Sequence, residues 1–226
     1  MKFIKHGKTK DVYQLDDGNI LLKFKDTVTG HAGSGESDPG GNDVVGEKAG
    51  VASAALSMTA YYFELLKKAK IPSHYVSADI AKNELTVRPA TIFGKGLEFV
   101  VRYTAEGSFV KRFSDFTEQG ANLGGLVEIT LKDDAKGDPP VTSDIIVALN
   151  LMTKKQVDTA IKLTKKVCDI VKNDLATKGV ELLDIKVEVA LVDGKVALID
   201  EVSGGNMRTK KDGKLLDYVE LSKLIK

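Results

Sequence analysis

An α+β chain with mainly antiparallel sheets is predicted by three features of the sequence. Short alternating segments punctuated by turn residues fill the first half. A capped amphipathic helix lies in the second half, and two further strands joined at Asp193-Gly194 follow that helix.

Taken in order, DVYQL and ILLKF flank Asp16, Asp17, Gly18 and Asn19, which reads as a β-hairpin. The stretch Thr29 to Gly50 is rich in Gly, Ser and Asp and carries Pro39, so it is expected to be a long mobile loop that serves a ligand. Ala52 to Ala69 is expected to be helical and to stop before Ile71-Pro72. HYVSADI, ELTVRPA and LEFVVRY then alternate as strands. Thr153 and Gln156 form a T-x-x-Q capping box ahead of Val157, Ile161, Thr164, Cys168, Val171 and Leu175, which recur at steps of four and three, and Gly179 closes the helix. ELLDIKVEVAL and KVALIDEV complete the chain's second hairpin.

The 226 residues include 33 Lys+Arg and 32 Asp+Glu, a formal charge of +1, and 42% are apolar. Such a balance supports a real core and lacks the electrostatic footprint of a nucleic-acid binder, so small-molecule partners are expected. The one cysteine, Cys168, sits on the apolar helix stripe and reads as core. A reduced, cytoplasmic protein with no membrane anchor is expected, since the first ten residues have no apolar core and Val51 to Phe63 is too short to span a bilayer.

In LLDIKVEVAL, Leu183, Ile185, Val187, Val189 and Leu191 fall on one strand face, and Asp184, Lys186 and Glu188 fall on the other. The charged row alone reads as the solvated side of a sheet. The next strand, KVALID, is apolar and delivers Asp200-Glu201 at its end, which brings carboxylates toward a lysine, an arrangement suited to Mg²⁺ holding a polyphosphate. If a two-residue turn paired Leu191 with Val196, parity would aim Asp200 away from Glu188; a three-residue connection with Gly194 at positive φ is therefore expected. In VVRYTAEGSFVKRF, Arg102, Ser108, Lys111 and Arg112 bracket a small-residue turn that reads equally as a phosphate site or as an ordinary surface turn. LKDDAKGDPP, with Lys132 and Asp138, reads by composition as a solvated loop. GKTKDVY places Lys8 and Lys10 on one strand face after Gly7, a weak phosphate-loop signal, and neither a Walker nor a G-x-G-x-x-G motif occurs.

In order and rough spacing, GKTKDVY, VVRYTAEGSFVKRF, LKDDAKGDPP, LLDIKVE and the strand-end Asp-Glu resemble the phosphoribosylaminoimidazole-succinocarboxamide synthase (SAICAR synthetase) family over nearly the whole chain. The resemblance implies a two-lobed fold with ATP in the cleft: an antiparallel lobe over residues 1–97 covering the nucleotide, and an α/β lobe over 98–226 with the substrate and Mg-ATP residues. It implies an ATP- and Mg²⁺-dependent ligase that joins L-aspartate to the carboxylate of carboxyaminoimidazole ribonucleotide through an acyl phosphate. By position, Lys8, Lys10, Lys132, Glu188 and Asp200 resemble the ATP set, with Glu188 and Asp200 on the metal. Arg102, Ser108 and Arg208 resemble the ribonucleotide binders, and Asp138, Asp184 and Lys186 the catalytic groups near the reacting carboxylate and the incoming aspartate. A homo-oligomer, a dimer before other assemblies, is also implied.

The chain departs from the family's usual pattern at VSGGNMR after Asp200-Glu201, at Tyr103 in place of an asparagine, near Gly46, where paired asparagines are common, and in a missing or reduced C-terminal helix. The first three departures are expected to fall where substrates bind. Two other classes stay open on that account: a sister ATP-dependent ligase acting on another carboxylate, and a non-catalytic nucleotide-binding regulator of the same fold.

Overall fold

The computed structural model describes residues 1–31, 33, 37–39 and 41–225, which form two compact units. The first unit is Met1–Ala90 with Glu201–Asn206 and Leu216–Lys226, and the second is Thr91–Asp200 with Met207–Leu215. The sequence-based halves, 1–97 and 98–226, follow chain order; the compact units do not, because two later segments pack with the first ninety residues.

In the first unit, β1 (Lys2–His6), β2 (Lys10–Gln14) and β3 (Ile20–Phe24) form an antiparallel meander. Its β2–β3 turn is held by Asp17, whose Oδ1 accepts from the Asn19 amide at 2.9 Å. Next, β4 (Thr27–Gly30) pairs with β5 (Asp43–Glu47) as a separate two-stranded ribbon. This corrects the single long loop expected over 29–50, since Thr, Val and Gly at its two ends support backbone pairing. The expected mobility at residues 32, 34–36 and 40 lies outside the described residues. Helix α1 (Val51–Lys68) ends before the Ile71-Pro72 step, with Lys70 in the left-handed region at φ 57°. It packs Ala52, Ala55 and Leu56 against Phe24, Leu85 and Val87. Strands β6 (Tyr75–Asp79) and β7 (Glu84–Val87) complete a sheet of order β1-β2-β3-β7-β6.

The second unit is built on β8 (Leu97–Thr104), α2 (Ser108–Phe113), β9 (Asn122–Leu131), α3 (Ser143–Ala148), α4 (Lys154–Thr177), β10 (Glu181–Val192), β11 (Lys195–Ile199), β12 (Met207–Lys211) and β13 (Lys214–Leu215). Its sheet runs β13-β12-β10-β8-β9, with β11 also paired to β10. The capping box of α4 is present in full: Gln156 N donates to Thr153 Oγ1 at 3.3 Å, and Gln156 Oε1 accepts from Thr153 N at 2.7 Å. Gly179 stands just beyond the helix at φ 68°. The apolar stripe of α4, including Val157, Val167, Cys168, Val171 and Leu175, is buried, as are Leu183, Ile185, Val187 and Val189 of β10. Cys168 is a free, fully buried thiol whose ionisation is suppressed by burial, which matches its reading as core.

The β10–β11 connection corrects one expectation and keeps another. Leu191 pairs with Val196 and Val192 with Lys195, so the turn holds two residues, Asp193 at φ 50° and Gly194 at φ 74°. Two successive left-handed residues make the mirror-image turn that matches strand twist, and Asp-Gly is a preferred occupant of it. The seven-residue α5 (Tyr218–Leu224) is a first-unit element capped by Asp217, whose Oδ1 accepts from Val219 N and Glu220 N at 2.8 Å each.

Thr153→Ala removes the side-chain half of the α4 box, leaving the backbone amide of residue 153 to donate to Gln156 Oε1, and is expected to lower unfolding free energy by about 1 kcal/mol in urea titrations, with an unchanged slope.

Candidate active site

The charged face of β10 is not solvated: Asp184 is 3% and Glu188 6% exposed. Register shows why these charges meet others. Asp184 pairs with Arg102 of β8 and Arg208 of β12, Lys186 with Val100, and Glu188 with Glu98. Residues directly opposite in antiparallel strands face the same side, so β8 contributes Glu98, Val100 and Arg102 to this face, and β9 contributes Leu126, Glu128 and Thr130. Lys132, two residues beyond Thr130, continues the row.

At one end of this face Glu98 and Glu188 stand opposite each other, which is unfavourable for like charges unless a cation intervenes. Lys186 is that cation. Its Nζ lies 3.3 Å from Glu98 Oε1, 3.1 Å from Glu188 Oε1 and 3.8 Å from Asp200 Oδ2. Lys132 Nζ donates to the same Glu188 oxygen at 2.6 Å, and Thr130 Oγ1 donates to Glu98 Oε2 at 3.2 Å. Burial pulls both lysines toward neutrality, yet the surrounding carboxylates outweigh it and hold Lys132 above and Lys186 well above the usual ammonium value. Three carboxylates against two ammoniums leave one negative charge in excess.

The register places Asp200 opposite Val187, so a continued strand would aim its side chain at the α4 face. Instead β11 ends at Ile199 and Asp200 is left-handed at φ 64°, which turns its carboxylate toward Lys186. The convergence of Glu188 and Asp200 thus arises from a backbone break after the strand rather than from a longer turn.

At the other end Arg102 is 4% exposed and fully engaged. Its Nε donates to Glu128 Oε2 at 2.5 Å, Nη1 to Asp184 Oδ2 at 3.2 Å and Nη2 to Ser108 Oγ at 3.1 Å. Arg208 Nη1 donates to the same Asp184 oxygen at 2.6 Å, and its guanidinium lies over Gly107, where a Cβ would come within 2.6 Å of Nη2. Arg112 pairs with the second oxygen of Glu128. Burial pushes the Asp184 carboxyl above its usual value while Arg208 and Arg102 oppose that rise. Asp184 therefore fixes two guanidiniums side by side beside the Ser108 hydroxyl.

Asp138 stands on the turn after Lys132 at φ 48°, where its Oδ1 accepts from Asp133 N at 2.7 Å. Of the first-unit candidates, Lys8 and Lys10 do not share a strand face. Lys8 lies in the turn closed by Gly7 N to Lys10 O at 2.8 Å, and Lys10 opens β2. Lys10 Nζ is 3.1 Å from Glu201 Oε1, both side chains buried, and sits 5.0 Å from the centroid of the Phe24 ring. Sequence reasoning passed over Glu98 and Glu128, and named Glu201 only as a strand-end carboxylate, not as the partner of Lys10. The even, four-residue spacing of Glu98 to Arg102 and of Glu128 to Lys132 along a strand was the available signal for both.

A model of the SAICAR synthetase family matches residues 3–217. The chain is 47% identical to the phosphoribosylaminoimidazole-succinocarboxamide synthase of Clostridium tetani, over 100% of this chain and 99% of that one. The chain belongs to the SAICAR synthetase family. Its activity is the family's: ATP-dependent ligation of aspartate to carboxyaminoimidazole ribonucleotide in purine biosynthesis. Among solved structures, a SAICAR synthetase 34% identical superposes with a TM-score of 0.80, covering 93% of this chain and 87% of its own. A second, a SAICAR synthetase in complex with ADP, is 26% identical with a TM-score of 0.83, covering 96% of this chain and 88% of its own.

One departure from the family pattern does not face the charged groups. Tyr103, one residue from Arg102, points to the α4 side, where its hydroxyl donates to Asp169 Oδ1 at 3.2 Å and Lys172 Nζ lies 4.1 Å from its ring centroid. Burial, followed by the nearby acidic groups, pushes its phenol far up, so it stays neutral. Ser203, fully buried, folds its own segment into a turn by accepting from Gly205 N at 3.0 Å.

Because its folded-state value exceeds the unfolded one, Lys186 keeps its charge as pH rises through 10.5, where an ordinary lysine is half-neutral. Nitrogen-detected NMR of labelled lysines is expected to show Lys186 still unshifted at that pH while exposed lysines titrate.

Proposed function

We propose that the charged face of the second unit holds the reacting ends of ATP and the ribonucleotide, and that ligation runs through an acyl phosphate. The observation that carries this reading is one carboxylate oxygen of Glu188 shared by Lys132 at 2.6 Å and Lys186 at 3.1 Å, with Asp200 3.8 Å from Lys186. Two fixed ammoniums beside two hard oxygen donors match the needs of phosphoryl transfer, which is catalysed by positioning and charge neutralisation. Lys8 and Lys10 are assigned to the nucleotide as well, and the neighbour solved with ADP supports the nucleotide itself.

Glu188 and Asp200 would hold Mg²⁺. The donor set fits, because Mg²⁺ takes one or two protein carboxylates and completes its shell with phosphate oxygens and water, and the cluster carries an excess negative charge. When bound, the ion supplies neutralisation and orientation of the polyphosphate.

In this reading Arg102, Ser108 and Arg208 receive the ribonucleotide, with Asp184 locking the two guanidiniums in one orientation. A carboxylate oxygen of the ribonucleotide attacks the γ-phosphorus, the bond to the bridging oxygen breaks and ADP leaves. The amine of L-aspartate then attacks the acyl carbon, loses a proton, and phosphate departs with its bonding pair. Lys186, held charged by three carboxylates, serves as a fixed cation and not as the base. Asp138 is assigned to the incoming aspartate. Tyr103 facing α4 supports the family's ribonucleotide over a different carboxylate. A cytoplasmic homodimer is the working form carried by this reading.

Asp200→Asn tests the metal assignment cleanly, since asparagine tolerates the left-handed backbone that residue 200 requires. Turnover is expected to fall by about two orders of magnitude or more with stability within about 1 kcal/mol of the parent. Undiminished turnover would remove Asp200 from the site. ADP release by the parent protein should depend on added L-aspartate, and aspartate-independent release at full rate would refute the second step.

A further inference from the structure

The Ser203-Gly204-Gly205-Asn206 segment has a steric cause that lies elsewhere in the first unit. Neither Gly204 nor Gly205 has a positive φ, so backbone conformation does not call for glycine at either position. Space does. A Cβ at Gly205 would lie 2.7 Å from the Tyr218 hydroxyl oxygen and 2.9 Å from its Cε1, and a Cβ at Gly204 would lie 3.0 Å from Tyr218 Cα. Tyr218, the first residue of α5, is 7% exposed and packs with Val28 of β4 and Val51 of α1, so the ring cannot swing aside cheaply.

The same phenol touches two further parts of the first unit. The side chains of Thr29 and Ser37 and the charges of Glu201 and Lys10 all act on its ionisation. Burial is the largest cause of its ionisation being pushed up to about 12. Glu201, whose carboxylate lies 3.1 Å from Lys10 Nζ, is two residues from Ser203 on the segment that the ring covers. A buried lysine holds one position only if its counter-ion does.

We infer that Tyr218 is a positioning residue for ATP: seated on Gly204-Gly205, it fixes the 201–206 segment, hence Glu201, and through Glu201 the ammonium of Lys10. This rests on the assignment of Lys10 to the nucleotide. The glycine pair and the tyrosine are one device, a flat backbone and a ring that fills the space above it, and neither half works with an ordinary residue opposite.

The test compares steady-state constants of Tyr218→Leu, Tyr218→Phe, Gly205→Ala, Lys10→Ala and the Tyr218→Leu/Lys10→Ala double variant. Tyr218→Leu is expected to raise KM for ATP about tenfold with kcat and the ribonucleotide KM within about twofold. Tyr218→Phe, which keeps the ring, should stay within about twofold of the parent, and Gly205→Ala should match Tyr218→Leu. In the Lys10→Ala background Tyr218→Leu should add less than about twofold, the non-additivity expected of residues acting through one another. Parallel rises in every KM, additive effects in the double variant, or an unchanged ATP KM in Tyr218→Leu while Lys10→Ala raises it would each overturn the inference and leave the nucleotide role of Lys10 standing. An unchanged ATP KM in Lys10→Ala would instead refute that role, and with it any route from Tyr218 through Lys10.

Discussion

Burying ionised groups on a sheet face is expensive, and the second unit is organised around meeting that expense with pairing. Each buried ion carries a desolvation penalty of several kcal/mol that only close, well-placed partners offset. Glu98 and Glu188, opposed across β8 and β10, would repel in a nearly dry setting, and Lys186 between them converts that repulsion into attraction. Lys132 reaches the same Glu188 oxygen from the end of β9 and Lys186 reaches Glu98 of β8, so three strands are committed to one register. A slip of one residue in any of them would put its charges on the α4 side among Leu183, Ile185 and Val187.

That commitment explains the other face as well. With the middle of one side of β10 given over to ions, Leu183, Ile185, Val187 and Val189 on the other side are buried on the side of α4, whose buried stripe runs from Val157 to Leu175. The Asp184 group repeats the logic at the opposite end of the strand: one carboxylate oxygen accepts from Arg102 and Arg208, and Glu128 takes the remaining edge of Arg102. Arginines fixed in this way present a preset geometry to a dianion, which lowers the ordering cost of binding it. The electrostatics that hold the sheet together are therefore also the electrostatics proposed for catalysis.

Asp200 shows how strand parity is overcome by a single backbone residue. The two-residue Asp193-Gly194 turn is the one that strand twist favours, and it assigns residue 200 to the apolar side. Ending the ladder at Ile199 and adopting φ 64° at Asp200 reverses the side chain's direction at a cost of about 1 kcal/mol for a non-glycine residue. Aspartate is among the residues that tolerate that region best, so the residue type serves both the turn and the carboxylate.

Sequence alone determined the local events, because their causes are local. The α4 capping box, the apolar stripe with Cys168 inside it, the position though not the length of the Asp-Gly turn, and the alternation of LLDIKVEVAL depend on neighbours within a few residues. The order of the polar blocks sufficed for the family as well, since that is a property of the string. What lay beyond it was set by partners distant in sequence. The pairing of β4 with β5, the burial of Asp184 and Glu188, the entry of Glu98 and Glu128 onto the charged face, and the turning of Tyr103 toward Asp169 each need a strand or helix from elsewhere in the chain. Asp200 was misjudged in route though not in destination, because a single left-handed residue leaves no mark in periodicity. Only the tertiary structure decided these points: which side chains share a face is a matter of register between strands, and register is fixed by packing and charge pairing across the whole sheet.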